Sequence, residues 1–216
     1  MHYRLIPNSF HFENLSLFNT SYRGLHMKNN TYENDVRILG GKFKGKLLPV
    51  LDVEGLRPTP SRVRKTIFSW IKDSLGNAKV LDLFAGSGAL GLEAYSRGAK
   101  DVTLVELDKD NSSNLKEIAK SMSYDEIHVI NDDALHFLDN VSSTFNIVFI
   151  DPPYKLDIYE KVLEKLLDKN LIDDDSLIYV EMRNGSNKIV PGYEIIREEN
   201  AGQSKYSLWT KSKLLF

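Results

Sequence analysis

Short apolar runs alternate with amphipathic segments over most of this chain. Residues 80–84, 102–106, 127–130, 146–150 and 177–181 predict strands, and residues 89–97, 109–121, 134–138 and 157–169 predict helices. Residues 193–198 and 205–210 predict an antiparallel pair that closes the sheet. Continuous apolar strands that alternate with helices are typical of a mostly parallel, doubly wound sheet. The pattern therefore predicts an α/β fold with seven strands and helices on both faces.

A smaller motif precedes this alternation. Two apolar runs at 37–39 and 46–50, with glycines between them, predict a β-hairpin. Thr59 can cap a following helix that has Pro60 in its first turn. The apolar stripe of that helix consists of Val63, Ile67, Trp70 and Ile71. We therefore predict a small hairpin and helix ahead of the main sheet.

Three segments follow from these patterns. Residues 1–34 are polar and rich in Asn and Ser and predict a flexible N-terminal extension, while Met27 offers an alternative start that would remove residues 1–26. Residues 35–75 hold the hairpin and helix, and residues 76–216 hold the α/β domain. Within residues 37–72 there are nine Lys or Arg and two acidic residues, in a chain of net charge −2. Such a segment fits either a nucleic-acid contact or a solvated basic face.

The composition excludes several classes of protein. The chain of 216 residues has no cysteine, which excludes disulfides and cysteine-bound metals, and its five histidines lack ligand spacing. We therefore expect no metal. No apolar run approaches the roughly 20 residues of a membrane helix, so we expect a cytoplasmic protein without a membrane partner, and a monomer.

A glycine-rich loop follows the first strand of the α/β domain. Gly86, Gly88 and Gly91 satisfy the pattern G-x-G-x-x-G between a strand and a helix, and Glu106 ends the next strand. Glycines allow a tight turn and close backbone approach, and an acid at that distance can bind ribose hydroxyls. The loop alone fits either a dinucleotide or S-adenosylmethionine.

Two acidic residues favour S-adenosylmethionine. Asp82 at the mouth of the loop would repel a pyrophosphate but attracts the ammonium of a methionine moiety. Asp133 follows the third strand, where it can bind an adenine amino group. Asp133 can also cap the helix that starts at Ala134, and one residue can do both.

The sequence Asp151-Pro152-Pro153-Tyr154 directly follows the apolar run 147–150. At the carboxyl end of a buried strand, the Asp151 carboxylate and the Pro152 carbonyl can accept the two N–H bonds of a base amine and orient its lone pair toward a methyl donor. Tyr154 offers a ring for stacking an extruded base. The alternative is a Pro-Pro turn in which Asp151 caps the next helix.

Three stretches carry a family resemblance. They are Arg37-Ile38-Leu39-Gly40-Gly41 with Gly45, Leu48, Pro49 and Val50; Leu56-Arg57-Pro58-Thr59 with Arg62, Val63, Arg64, Thr66, Phe68 and Trp70; and the glycine loop with its flanks over 83–94. Together with the motif at 151–154, they resemble the RsmD family, bacterial enzymes that methylate N2 of guanine G966 in 16S rRNA. The resemblance covers about residues 36–211. It implies a Rossmann-like class I S-adenosylmethionine-dependent methyltransferase fold.

The resemblance also implies roles for individual residues. The cofactor pocket would be lined by Asp82, Phe84, Gly86, Gly88, Glu106, Leu107, Asp133 and Ala134. The catalytic residues would be Asp151, Pro152 and Tyr154. The residues facing rRNA or the mouth of the site would be Arg37, Arg57, Thr59, Arg62 and Arg64. The implied partner is 16S rRNA or a small-subunit particle, with ribosomal proteins helping to present the base.

Three other functions stay open from the residues themselves. A DNA adenine-N6 methyltransferase can use the same chemistry at residues 151–154, although no separate sequence-reading domain is evident. An NAD-dependent oxidoreductase would explain the glycines and Glu106 but would leave residues 151–154 without a role. An RNA-binding assembly factor could keep the same fold without turnover.

Overall fold

A computed structural model describes residues 36–51, 59–123, 125–153, 155–185 and 190–213. The predicted N-terminal extension, residues 1–34, lies outside the described residues. The strands are β1 (Val36–Arg37), β2 (Leu47–Leu48), β3 (Lys79–Asp82), β4 (Asp101–Glu106), β5 (Ile127–Asn131), β6 (Ile147–Ile150), β7 (Leu177–Arg183), β8 (Tyr193–Ala201) and β9 (Ser204–Lys211). The helices are α1 (Ser61–Trp70), α2 (Gly91–Ser96), α3 (Lys109–Lys120), α4 (Ala134–Asn140) and α5 (Tyr159–Asp168).

Strands β3 to β9 form one seven-stranded sheet in the order β5-β4-β3-β6-β7-β9-β8. Strands β3 to β7 pair in parallel, and β9 pairs antiparallel with both β7 and β8. The mostly parallel sheet and its antiparallel closing pair are therefore confirmed. The strand order reverses at β3, which has β4 on one side and β6 on the other. Ligands of open α/β sheets bind at such a switch point.

Alternate residues of the central strands enter two separate hydrophobic clusters. Val80, Leu104 and Phe149 pack with residues of α1, α2 and α3 on one face of the sheet. Leu81 and Val148 pack with residues of α4 and α5 on the other face. This two-sided burial explains why the strands are continuously apolar in the sequence.

The hairpin of β1 and β2 and helix α1 share a core with the sheet. Val36 of β1 and Ile67 of α1 belong to the same buried cluster as Val80 and Phe149. The antiparallel pairing of Val36 with Leu48 confirms the predicted hairpin. The hairpin and α1, which belong to the basic segment 37–72, thus pack on the sheet face that also carries the glycine loop.

The first strand of the sheet is shorter than predicted. Strand β3 ends at Asp82, and the chain then turns until α2 begins at Gly91, although the sequence predicted a strand to Phe84 and a helix from residue 89. The apolar run misled the prediction because Leu83 is fully buried without continuing the strand. The loop that results is longer, and it occupies the carboxyl end of β3.

Among the described residues, every helix is too short or too polar to cross a bilayer.

Candidate active site

The predicted acidic residues meet at one edge of the sheet. Asp82 ends β3, Glu106 ends β4, Asp133 follows β5 and Asp151 follows β6. Because these four strands are parallel, their carboxyl ends lie on the same edge. The fold therefore brings together residues that are up to 69 positions apart in the chain.

The glycine loop needs its glycines for two different reasons. Gly86 and Gly88 have φ angles of 51° and 72°, a region that side chains rarely adopt. A Cβ atom on Gly88 would also lie 2.7 Å from Leu92 Cδ1. A Cβ atom on Gly91 would lie 2.3 Å from Leu104 Cδ2, so this glycine lets α2 pack closely on β4.

Glu106 is bound to the backbone of the glycine loop. Its Oε2 accepts a hydrogen bond from Gly86 N at 2.9 Å, and its Oε1 accepts one from Asp108 N at 2.8 Å. The side chain is half-buried. Glu106 is thus held at the glycine loop, and its role in ribose binding stays a prediction.

Asp82 lies beneath the glycine loop and supports it. The residue is 2 % exposed, and its Oδ2 accepts a hydrogen bond from Gly91 N at 2.9 Å. Burial raises the pKa of the Asp82 carboxyl to about 7, against the lowering effect of that bond, and the nearby Glu106 carboxylate raises the pKa further. The carboxyl therefore changes charge close to neutral pH, next to the loop.

Asp133 caps a helix, as one of its two predicted roles requires. Its Oδ1 accepts hydrogen bonds from Leu135 N at 2.9 Å and His136 N at 3.1 Å, at the start of α4. The side chain of Leu107 is 68 % exposed at the end of β4. An exposed leucine beside this helix start offers an apolar surface of the kind that a flat aromatic ring covers.

Asp151 is half-buried at the carboxyl end of β6, and Pro152 is buried beside it. Burial raises the pKa of the Asp151 carboxyl well above its usual range, and the neighbouring Glu181 carboxylate adds to this effect. The residue does not cap the next helix, because the N-cap of α5 is Ile158. Tyr154, the predicted stacking residue, lies outside the described residues.

Thr59 contacts the carboxylate of Asp151 instead of capping helix α1. Its Oγ1 donates a hydrogen bond to Asp151 Oδ2 at 3.1 Å, and the residue is 7 % exposed. Helix α1 has Pro60 as its N-cap and lacks a side-chain cap, so the predicted capping by Thr59 is wrong. The hydroxyl instead contacts the predicted catalytic carboxylate.

Arg64 is buried, which corrects its predicted place at the RNA surface. The residue is 3 % exposed, and its Nη1 contacts Glu93 Oε2 at 2.9 Å and Arg37 O at 3.0 Å. Its Nε donates to Thr59 O at 3.2 Å. Position 64 of α1 is buried next to Val63, and its guanidinium joins the helix to α2 rather than facing solvent.

The other predicted RNA-facing arginines differ from Arg64. Arg62 is exposed on α1, and Arg37 is exposed on β1, where its guanidinium donates to Gly45 O at 3.0 Å. Arg57 lies outside the described residues. Arg37 and Arg62 are therefore the two that the structure leaves accessible to a large partner.

Three buried polar residues of the site were missed from the sequence. Asn111 of α3 donates from Nδ2 to Gly86 O at 2.6 Å and holds the glycine loop from the other side. Glu93 accepts hydrogen bonds from Arg64, Arg97 and Leu39 N. Glu181 of β7 is buried and accepts a hydrogen bond from the Tyr179 hydroxyl at 2.7 Å. The available signal was the position of this acid directly after the apolar run 177–180, in the strand that follows β6.

Comparisons with known proteins agree with this geometry. A protein-family model described as "Conserved hypothetical protein 95" matches residues 36–210. The Escherichia coli protein named "Ribosomal RNA small subunit methyltransferase D" is 40 % identical over 185 residues, which cover 85 % of this chain and 93 % of that protein. The Haemophilus influenzae protein of the same name is 38 % identical over 182 residues, covering 82 % and 94 % of the two chains.

Solved structures show the same fold. The structure of the Escherichia coli protein yhhF superposes with a TM-score of 0.76 at 38 % identity, covering 82 % of this chain and 98 % of that one. The predicted Rossmann-like fold of the class I methyltransferases is thereby confirmed.

Proposed function

The chain belongs to the RsmD family, and on that premise we propose that it transfers a methyl group from S-adenosylmethionine to N2 of guanine G966 in 16S rRNA. Methylation of small-subunit rRNA is the activity in the names of its relatives in Escherichia coli and Haemophilus influenzae. The observation that carries the proposal is the Asp151 carboxylate, which is held by Thr59 at the carboxyl end of β6. Guanine N2 and position 966 come from the family resemblance.

The residues at the sheet edge fit S-adenosylmethionine better than a dinucleotide. Glu106 would accept the ribose hydroxyls, and Asp82 would attract the ammonium of the methionine part. Asp82, which lies beneath the glycine loop, would repel a pyrophosphate. Asp133, Ala134 and Leu107 would border the adenine. When bound, S-adenosylmethionine supplies an electrophilic methyl group on a sulfonium.

Asp151 and Pro152 act on the base. The exocyclic amine of guanine is a weak nucleophile because its lone pair is delocalised into the ring. The Asp151 carboxylate accepts one N–H and the Pro152 carbonyl accepts the other, which turns the lone pair toward the methyl group. The main gain comes from positioning, and the rigid backbone of the two prolines keeps both acceptors in place.

The proton balance also involves Asp151. As the new N–C bond forms, the amine nitrogen becomes positively charged and must release one proton. The raised pKa of the Asp151 carboxyl makes it a better acceptor for that proton than an ordinary aspartate. The proton then passes to solvent at the carboxyl edge of the sheet, where residue 151 is half-buried.

The target guanine must leave its stack to reach this edge of the sheet. The exposed Arg37 and Arg62 lie on the hairpin and helix of the basic segment, on the same sheet face as Thr59. They are suited to contact rRNA phosphates. Because the net charge of the chain is only −2, we propose that ribosomal proteins of the particle help to present the base.

The test is methyl transfer from labelled S-adenosylmethionine by the full chain to small-subunit particles, naked 16S rRNA and duplex DNA. Wild-type protein should label the particle at a guanine, and Asp151→Ala should abolish the label while S-adenosylhomocysteine still binds. Asp139→Ala, a change at an exposed aspartate of α4, is the control and should keep full activity. Labelling of duplex DNA alone, or equal turnover by Asp151→Ala, would refute the proposal.

A further inference from the structure

A second carboxylate lies beside Asp151 on the neighbouring strand. Strands β6 and β7 are parallel, and Ile150 of β6 is in register with Val180 of β7. The next residues in the chain are Asp151, directly after the end of β6, and Glu181 of β7. Glu181 is 5 % exposed, so the pair combines one buried and one half-buried acid at the edge of the sheet where a ligand binds.

Both carboxylates are on the sheet face that carries α1. Two residues before them, Phe149 and Tyr179 pack edge to face with ring centroids 6.1 Å apart, in the cluster that includes α1. Side chains two apart in a strand share a face. The hydroxyl contacts agree, because Thr59 donates to Asp151 and Tyr179 donates to Glu181 at 2.7 Å.

The Watson–Crick edges of the bases differ in a way that such a pair can detect. Guanine has two neighbouring donors there, the ring N1–H and the N2 amine. Adenine and cytosine each place an unprotonated ring nitrogen next to their amine. A carboxylate opposite that nitrogen meets another lone pair, which is repulsive, and such a mismatch is an effective means of discrimination. Asp151 alone would face an amine in guanine, adenine and cytosine, and it therefore discriminates poorly among the three bases.

We propose that Glu181 selects guanine, by accepting the N1–H of the flipped base while Asp151 accepts an N–H of its N2 amine. The inference rests on the proposed function and adds the residue that distinguishes guanine from adenine. A carboxylate can accept about four hydrogen bonds, so the bond from Tyr179 is compatible with this contact. That bond also fixes the rotation of the Glu181 carboxylate.

The test compares two bases that carry the same reacting amine. 2-Aminopurine keeps the N2 amine of guanine but has an unprotonated N1. Small-subunit particles are reconstituted with 16S rRNA that carries either base at the target position, and kcat/KM for methyl transfer is measured on both. Wild-type protein should prefer guanine by at least about tenfold, since a site built to bind an N–H rejects an analogue without it. Equal values would overturn the proposal.

The variant Glu181→Gln identifies the residue responsible. A glutamine amide can donate to the N1 of 2-aminopurine, so the preference for guanine should fall by about tenfold or more. Glu199→Gln is the matched control, because Glu199 also accepts a tyrosine hydroxyl, from Tyr206 at 2.7 Å, but is exposed. It should keep the wild-type preference. If Glu181→Gln lowered kcat/KM equally for guanine and for 2-aminopurine, the residue would have a structural role and the proposal would be overturned.

If Glu181→Gln no longer binds S-adenosylhomocysteine, Glu181→Asp takes its place. That variant keeps the charge but withdraws the carboxylate by one methylene, and it should also lose much of the preference for guanine. Full wild-type preference in a folded Glu181→Asp protein would overturn the proposal. Failure of wild-type protein to methylate the guanine particle is a separate result, and it refutes the proposed function itself.

Discussion

Thr59 Oγ1 lies 3.1 Å from Asp151 Oδ2, and this hydrogen bond joins Thr59, two residues before α1, to the carboxyl end of β6. The main chain of Thr59 is held in turn, because its carbonyl oxygen accepts from Arg64 Nε at 3.2 Å. Arg64 is paired with the buried Glu93 on α2, the helix that the glycine loop opens. A single chain of polar contacts therefore connects helix α2, which follows the glycine loop, to the carboxylate that is proposed to bind the base.

Replacing Thr59 by valine should slow methyl transfer while cofactor affinity is kept. Valine preserves the shape but removes the hydrogen bond, and bonds to charged groups contribute about 1.5–3 kcal/mol. We expect kcat/KM for the particle to fall by about 10- to 100-fold. Steady-state kinetics of Thr59→Val, with S-adenosylhomocysteine affinity measured by calorimetry, check this.

Thr59→Ser is the rescue control and should recover most of the activity. The bond from Thr59 lowers the pKa of Asp151. Its loss in Thr59→Val should therefore raise that pKa further and move the acid limb of the pH–rate profile to higher pH. Unchanged pH dependence, or a serine variant as slow as the valine variant, would contradict a positioning role.

Arg64 should matter for stability rather than for RNA affinity. Removing one partner of a buried ion pair leaves an uncompensated charge and typically destabilises by about 3–5 kcal/mol. Since Glu93 keeps Arg97 as a second partner, we expect Arg64→Met to be near the lower end of that range. Urea unfolding measures this change in the unfolding free energy. The control is Lys65→Met, at the adjacent exposed position of α1, which should change the unfolding free energy by less than about 0.5 kcal/mol.

Arg62 should show the opposite behaviour. Its side chain is exposed on α1, so Arg62→Ala should leave the unfolding free energy nearly unchanged. If the residue contacts an rRNA phosphate, binding should weaken at low salt, and the slope of log K against log salt should fall by about one. Filter binding to the small-subunit particle across a salt series measures this slope. An identical slope in wild type and variant would remove Arg62 from the interface.

Asp82 should make cofactor binding depend on pH near neutrality. The pKa of its carboxyl is raised to about 7, so the group is mostly protonated at pH 6 and mostly ionised at pH 8. If the ionised form binds the ammonium of S-adenosylhomocysteine, affinity should rise about tenfold between these values. Calorimetry measures the affinity of wild type and Asp82→Asn for S-adenosylhomocysteine at both pH values. The variant should bind it more weakly and without this pH dependence. Equal pH dependence in both would contradict the assignment.

The raised pKa of Asp82 makes the stability of the cofactor-free protein depend on pH in the opposite direction. Between the ordinary value of 3.8 and the folded value of about 7, the folded state binds more protons at Asp82 than the unfolded chain does. The contribution of this residue to the unfolding free energy therefore falls as pH rises through that window. Thermal unfolding of wild type and of Asp82→Asn measures this effect. The difference between their unfolding free energies should fall with rising pH when no cofactor is present, and should fall less steeply when cofactor is bound.

Much of the fold was predictable because its strands are buried on both faces. Five continuous apolar runs, such as 146–150, gave the parallel strands to within two residues at most ends. The glycine loop and Glu106 were predictable because local spacing determines their relation. The end of β3 was misplaced because Leu83 is buried in the core although the strand ends one residue earlier, at Asp82.

The roles of Thr59, Arg64 and Glu181 depend on contacts between distant parts of the chain. Glu93 is 29 residues from Arg64, and Asp151 is 92 residues from Thr59. An arginine on a basic helix has the same appearance in sequence whether it faces rRNA or a buried glutamate. Glu181 was missed because it ends the predicted strand 177–181, where an acid is usually a surface residue, and only the register with β6 puts it beside Asp151.

The central claim is that this chain methylates N2 of a guanine in small-subunit rRNA through Asp151. Mass spectrometry of 16S rRNA from cells that lack the gene, complemented with either wild type or Asp151→Ala, tests it most directly. N2-methylguanine at G966 should be absent without the gene, return with wild type and stay absent with Asp151→Ala. Its persistence without the gene, or its full return with Asp151→Ala, would contradict the account.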